Sequence, residues 1–65
     1  MGTTLEVTGM SCENCEESVE TALRGVEGVT AAAADHEANT ATVEGDADPL
    51  DLIIAVQEAG YEADA

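Results

Sequence analysis

Hydrophobic spacing along this chain switches between a period of two and a period near 3.6, and the order of the switches leaves few folds open. Leu5 and Val7 alternate with Thr4, Glu6 and Thr8, which predicts a short half-buried strand ending at Gly9. From Cys15 onward, Val19, Ala22, Leu23 and Val26 recur at helical spacing. Glu16 and Glu17 suit the positive end of a helix, and Arg24 with Gly25 suits its close. Val29, Ala31 and Ala33 then alternate on one face of a second strand, and Ala41 and Val43 on a third, with 35–39 as the polar connection of a hairpin. By propensity alone the 32–34 alanine run is also compatible with a helix. After Gly45-Asp46-Ala47, Asp48 reads as an N-cap and Pro49 as the first residue of a helix running to about Ala59 and ended by Gly60. The buried face of this helix takes Leu52, Ala55, Val56 and Ala59, with Ile53 at its margin and Ile54 pointing away. A last strand from Tyr61 to near Ala65 completes the order βαββαβ. In one domain spanning 1–65, that order predicts an α+β fold of the split βαβ kind: a four-stranded antiparallel sheet with both helices on one face.

Such a fold hosts enzymes, RNA binders and sensors alike, so function must come from the residues it carries. Hydrophobic residues make up 45% of the 65 but aromatic residues only 2%, so the core is built from aliphatic side chains and alanine. A core that thin sits near the stability limit unless a metal, a cross-link or a partner assists it. Charge narrows the partners further. Fifteen Asp and Glu residues face a single basic residue, Arg24, for a formal net charge of -14. Nucleic acids and anionic lipid surfaces would repel this chain. Acidic residues are spread along its whole length and lysine is absent. That pattern predicts adaptation to a salt-rich cytoplasm, where a Debye length of about 3 Å or less screens the self-repulsion. A specifically basic partner is the alternative reading of the same charge. The start of the chain shows no basic stretch, long apolar run or cleavage site, which leads to the expectation of a soluble, cytoplasmic protein without membrane insertion.

The cytosol keeps cysteines reduced, which favours a metal-binding or redox role for Cys12 and Cys15 over a structural disulfide. Thiolates are soft donors that select Cu(I), Zn(II) or iron–sulfur clusters, whereas carboxylates prefer hard ions. Two thiolates satisfy Cu(I), while a structural zinc normally takes four protein ligands. Beyond the cysteines the chain offers only His36, placed by the sequence as a solvent-facing residue of the far hairpin, and carboxylates. Cys15 at a helix N-terminus gains from the helix dipole, which lowers a thiol pKa, but Glu13, Glu16 and Glu17 oppose that effect. No Ser/His/Asp arrangement, phosphate-binding glycine loop or catalytic carboxylate pair stands out, so no enzymatic activity is expected.

The run Gly9-Met10-Ser11-Cys12-Glu13-Asn14-Cys15 resembles the GMxCxxC loop of the heavy-metal-associated domain family, which contains copper chaperones and the metal-binding domains of copper-exporting P-type ATPases. The resemblance extends through Gly25-Val26, Val29 and the late Ala59-Gly60-Tyr61-Glu62-Ala63, and it carries a ferredoxin-like fold with it. It implies Cys12 and Cys15 as Cu(I) ligands, supported by Gly9, Met10, Ser11 and Tyr61, with Met10 turned inward and Tyr61 near the loop. Zinc- and cadmium-exporting relatives commonly carry aspartate where Ser11 stands, so its absence tilts the metal towards copper. The implied function is a metallochaperone that captures copper and passes it to a copper-transporting ATPase or another acceptor by ligand exchange, monomeric when metal-free, with a metal-bridged dimer open to it. The chain lacks the basic residues that many chaperones carry near the loop. Zinc or cadmium handling and metal sensing are the alternatives that share this loop. A thiol–disulfide oxidoreductase fits less well, because such enzymes face their cysteines with a cis-proline and Pro49 reads as a helix start.

Overall fold

A computed structural model describes residues 2–64. Its elements run β1 (Gly2–Thr8), α1 (Glu13–Arg24), β2 (Val29–Asp35), β3 (Thr40–Gly45), α2 (Pro49–Glu58) and β4 (Glu62–Asp64). The strands form one antiparallel sheet in the order β2-β3-β1-β4. Each helix therefore connects two strands that have a third between them, which is the split βαβ arrangement expected from the sequence. Leu5 and Val7 of β1 and Ala41 and Val43 of β3 bury their side chains against Val19 and Leu23 of α1 and Leu52 and Val56 of α2. The opposite face of the sheet carries threonines, acids and, on β2, Ala31 and Ala33.

The two helices start differently. Asp48 accepts a hydrogen bond from the Leu50 N–H at 2.9 Å and Pro49 opens the first turn, so α2 begins where its sequence signals place it. At its other end the Gly60 N–H bonds the Gln57 carbonyl and the Tyr61 N–H reaches back to the Val56 carbonyl. That pair of bonds is a Schellman close, which needs the left-handed backbone that Gly60 adopts at φ +98°. The close turns Ala59 out to solvent, contrary to its expected place on the buried face, while Ile54 is exposed as expected. By contrast α1 starts two residues before Cys15, with Cys12 as its N-cap and no side-chain cap among the described residues. The Cys12 carbonyl accepts from both Cys15 and Glu16 N–H groups, so the helical ladder begins at the first cysteine. The helix ends at Arg24, leaving Val26 half-buried in the following turn.

On β2 the buried face is the reverse of the expected one: Ala31 and Ala33 are exposed and Ala32 faces the core. Val29 pairs with Gly45 but Ala31 pairs with Glu44, so one extra residue sits in β2 at that point. A bulge of this kind flips every later side chain to the other face of the sheet. Tyr61 precedes the last strand instead of starting it, and Ala65, the expected end of that strand, lies outside the described residues.

The edge strand β2 is covered in an unusual way. Glu16, Glu20 and Arg24 recur every fourth residue along one stripe of α1. Glu16 accepts from the His36 N–H, Glu20 accepts from the Ala34 N–H, and Arg24 donates to the Ala32 carbonyl. Their partners are alternate residues along the chain, those whose backbone groups point away from β3. Groups left open on a sheet edge invite pairing with another chain, and here one helix stripe takes up two of them and the N–H of His36 just past the strand. Arg24, the sole Lys or Arg of the chain, is also held by Glu20 at 3.6 Å.

Candidate metal centre

The loop that leaves β1 is shaped by its first residue. Gly9 adopts φ +104°, and a Cβ built there would stand 3.5 Å from the Tyr61 ring. The loop thus passes directly beneath the ring that the Schellman close of α2 delivers. Met10 then drops into the core at 6% exposure, among Leu5, Val7 and their neighbours, so its sulfur is not presented at the surface. Ser11 and Cys12 are exposed and Cys15 is half-buried.

Both cysteines are free thiols, and their sulfurs are 3.6 Å apart, with Cys12 donating to Cys15. The Ser11 hydroxyl lies 3.8 Å from the Cys15 sulfur. The Cys15 thiol is lowered to about 6, first by the Ser11 backbone N–H, then by the Tyr61 hydroxyl, the Ser11 hydroxyl and Cys12, against a smaller opposing effect of burial. Tyr61 is raised in turn, chiefly because its hydroxyl proton serves the Cys15 sulfur. A thiol lowered in this way is drawn towards the thiolate, the form in which cysteine binds soft metals.

Glu16 does not face the thiols. Its carboxylate accepts from the His36 N–H at 2.6 Å and shares a 2.7 Å contact with His36 Nδ1. The ring is thus pinned against α1, and the expectation of a solvent-facing hairpin histidine is corrected. His36 bonds to the residue next to Cys15 without joining the cysteines. Those bonds hold Glu16 below the usual carboxylate range and raise His36 above the usual imidazole value. No sequence signal announces this link, since the two residues are 20 positions apart and on different elements. Among the described residues no group of three or more His, Cys, Asp or Glu side chains gathers to hold a metal. The donor set is two thiols, with Glu13 and Glu17 exposed beside them.

A profile of heavy-metal-associated domains matches residues 4–62. The chain belongs to that family. This heavy-metal-associated domain is 39% identical over 62 residues to the copper chaperone CopZ of Bacillus subtilis, covering 91% of this chain and 90% of that one. It is 43% identical over 61 residues to a copper-exporting P-type ATPase of Vibrio cholerae, but that match covers 92% of this chain and only 7% of the ATPase. Its fold superposes on a solved CopZ metallochaperone with a TM-score of 0.92 at 32% identity, covering 97% of this chain and 98% of the other. The domain thus matches both a whole small protein and one module of a large pump.

Proposed function

We propose that this domain is a Cu(I) carrier: Cys12 and Cys15 bind one cuprous ion and release it to a partner by thiolate exchange. The observation that carries the reading is a pair of sulfurs 3.6 Å apart, Cys12 exposed and Cys15 half-buried, with no third ligand gathered beside it among the described residues. Two soft anionic donors suit Cu(I), whereas zinc would have to find further ligands outside this group. With only two thiolates from this chain, one side of a bound cuprous ion would be left open to a further donor. An incoming thiolate can bind on that side, after which one of the two cysteines leaves and takes up a proton. The metal is never free during such a transfer.

The similarity to CopZ and to copper-pump modules supports copper as the cargo and a copper-transporting ATPase as the acceptor. The same exchange with a second copy would give a metal-bridged dimer. The domain works in the cytoplasm on this reading, and no helix among the described residues is long and apolar enough to cross a membrane. The reading also includes a salt-rich setting. Glu6 lies directly opposite Asp64 across β1 and β4, a like-charge pair that costs stability unless salt screens it.

Anaerobic titration with Cu(I) against a competing chelator tests the carrier assignment. One tight equivalent is expected, lost in both Cys12→Ser and Cys15→Ser, with Zn(II) and Cd(II) bound more weakly under the same reducing conditions. Full binding by both serine variants, or a preference for zinc, would defeat it.

A further inference from the structure

We propose that Glu16 is a positioning residue for the metal loop: by clasping His36, it fixes the first turn of α1, and with it Cys15, to the end of β2. This rests on the copper-carrier reading above.

The first turn of α1 needs such a hold. A helix N-terminus leaves its first N–H groups without partners inside the helix, and it frays unless something caps it. Cys12 stands at the N-cap, and its side chain supplies no capping bond. A serine or aspartate there would cap the turn, but the position is given to a thiol. The turn is held instead by its own backbone, through Cys12, and by the Glu16 side chain from outside. That side chain is only 20% exposed, and one of its oxygens, Oε2, receives both the backbone N–H and the ring nitrogen of His36. The anchor lies on firm ground: Asp35 accepts from the Glu37 and Ala38 N–H groups, closing the turn that carries His36. Glu16 is therefore the bond between the first turn of α1 and the closed turn that follows β2.

Glu20 supplies the internal control. It makes the same kind of bond one helical turn further on, to the Ala34 N–H at 2.9 Å, away from the cysteines. If any link between α1 and β2 served the site equally, the two glutamates would be equivalent. If position matters, only Glu16 affects the metal.

The test compares Glu16→Ala, Glu16→Gln and Glu20→Ala with the unaltered protein, in concentrated KCl, by anaerobic Cu(I) competition and by amide hydrogen exchange of the metal-free protein. Glu16→Ala is expected to weaken Cu(I) binding about tenfold, in line with the loss of a partner that orients a metal ligand. It is also expected to speed exchange at residue 16 and at His36. Glu16→Gln keeps an acceptor oxygen while dropping the charge, and should retain both properties. Glu20→Ala should lower overall stability and leave copper affinity unchanged. Unchanged affinity in Glu16→Ala overturns the proposal. So does an equal loss in Glu16→Gln, which would make charge the cause, or in Glu20→Ala, which would make it general stability. Should Glu16→Ala not fold, His36→Ala removes the ring contact and keeps the backbone bond; a smaller loss in the same direction supports the proposal, and none overturns it. If the unaltered protein takes up no Cu(I), the carrier reading falls, while hydrogen exchange decides the hold separately: faster exchange in Glu16→Ala supports it and unchanged exchange overturns it.

Discussion

The two helices lie on the same sheet and are held there by different means. Helix α2 carries its own instructions: a capping aspartate, a proline in the first turn, a glycine close, and Leu52 and Val56 buried below. Helix α1 buries Val19 and Leu23 in the same way, but its start is uncapped by any side chain, and three of its polar residues reach across to backbone groups of β2 and of His36 just past it. The difference follows the division of labour. Helix α1 places a thiol where a capping side chain would stand, so its hold comes from elsewhere. The self-contained helix then serves the site indirectly, by swinging Tyr61 over the loop at its C-terminal close.

The strongest way to break this comparison is through the apolar anchors, which should be equivalent. Leu23→Ala and Leu52→Ala each remove a fully buried side chain, and each is expected to cost about 2–5 kcal/mol. In a domain with a total stability of about 5 kcal/mol, either variant should be largely unfolded in dilute buffer, as read by circular dichroism. A mild effect in one helix alone would show that its polar or capping interactions outweigh its core contacts.

The cap separates the helices at the next level. Asp48→Ala should lower stability by about 1 kcal/mol in urea titrations and leave Cu(I) affinity unchanged, because the cap lies on the helix that carries neither cysteine. A loss of copper binding in that variant would mean that α2 is coupled to the loop far more tightly than through Tyr61 alone.

The Glu16–His36 link adds a pH signature that α2 lacks. Glu16 is lowered, so its contribution is present above the ordinary carboxylate value and is lost as pH falls through the lowered one. His36 is raised, by Glu16 first and also by Glu37 and Asp35, so its contribution is present below the ordinary imidazole value and is lost as pH rises through the raised one. The stability gap between the unaltered protein and His36→Ala should therefore be widest between about pH 4.5 and 6.5 and narrow on both sides. A gap that does not change with pH would remove the ionic part of the link.

The mildest expected effect lies on the open face of the sheet. Glu6→Gln relieves the pairing with Asp64, so it should raise the urea midpoint in dilute buffer and have little effect near 1 M KCl, where screening reaches about 3 Å. A midpoint for the unaltered protein that is indifferent to salt would count against the salt-adapted reading.

Local signals made much of this architecture legible. The alternation of Leu5 and Val7, the Asp48-Pro49 start and Gly60 each depend on neighbours in sequence, and each falls where its pattern places it. The alanine run of β2 misled because its period of two was intact while the bulge after Val29 shifted its phase. With four small residues in a row, neither face is marked by size, and only pairing with β3 selects Ala32 for the core. The cysteine loop was visible as a motif, but the pKa of Cys15 was not, since it is set by donors from Ser11 and from Tyr61 at the far end of the chain.

By itself, then, the sequence determined the order of elements, the thin aliphatic core and the presence of two soft thiols three residues apart, because periodicity, capping and spacing act over a few residues. Tertiary structure alone decided which acids stand free and which are engaged. Glu13 and Glu17 face solvent beside the thiols, while Glu16 is drawn to a histidine 20 residues away, because a carboxylate takes the partner that folding places within 3 Å of it.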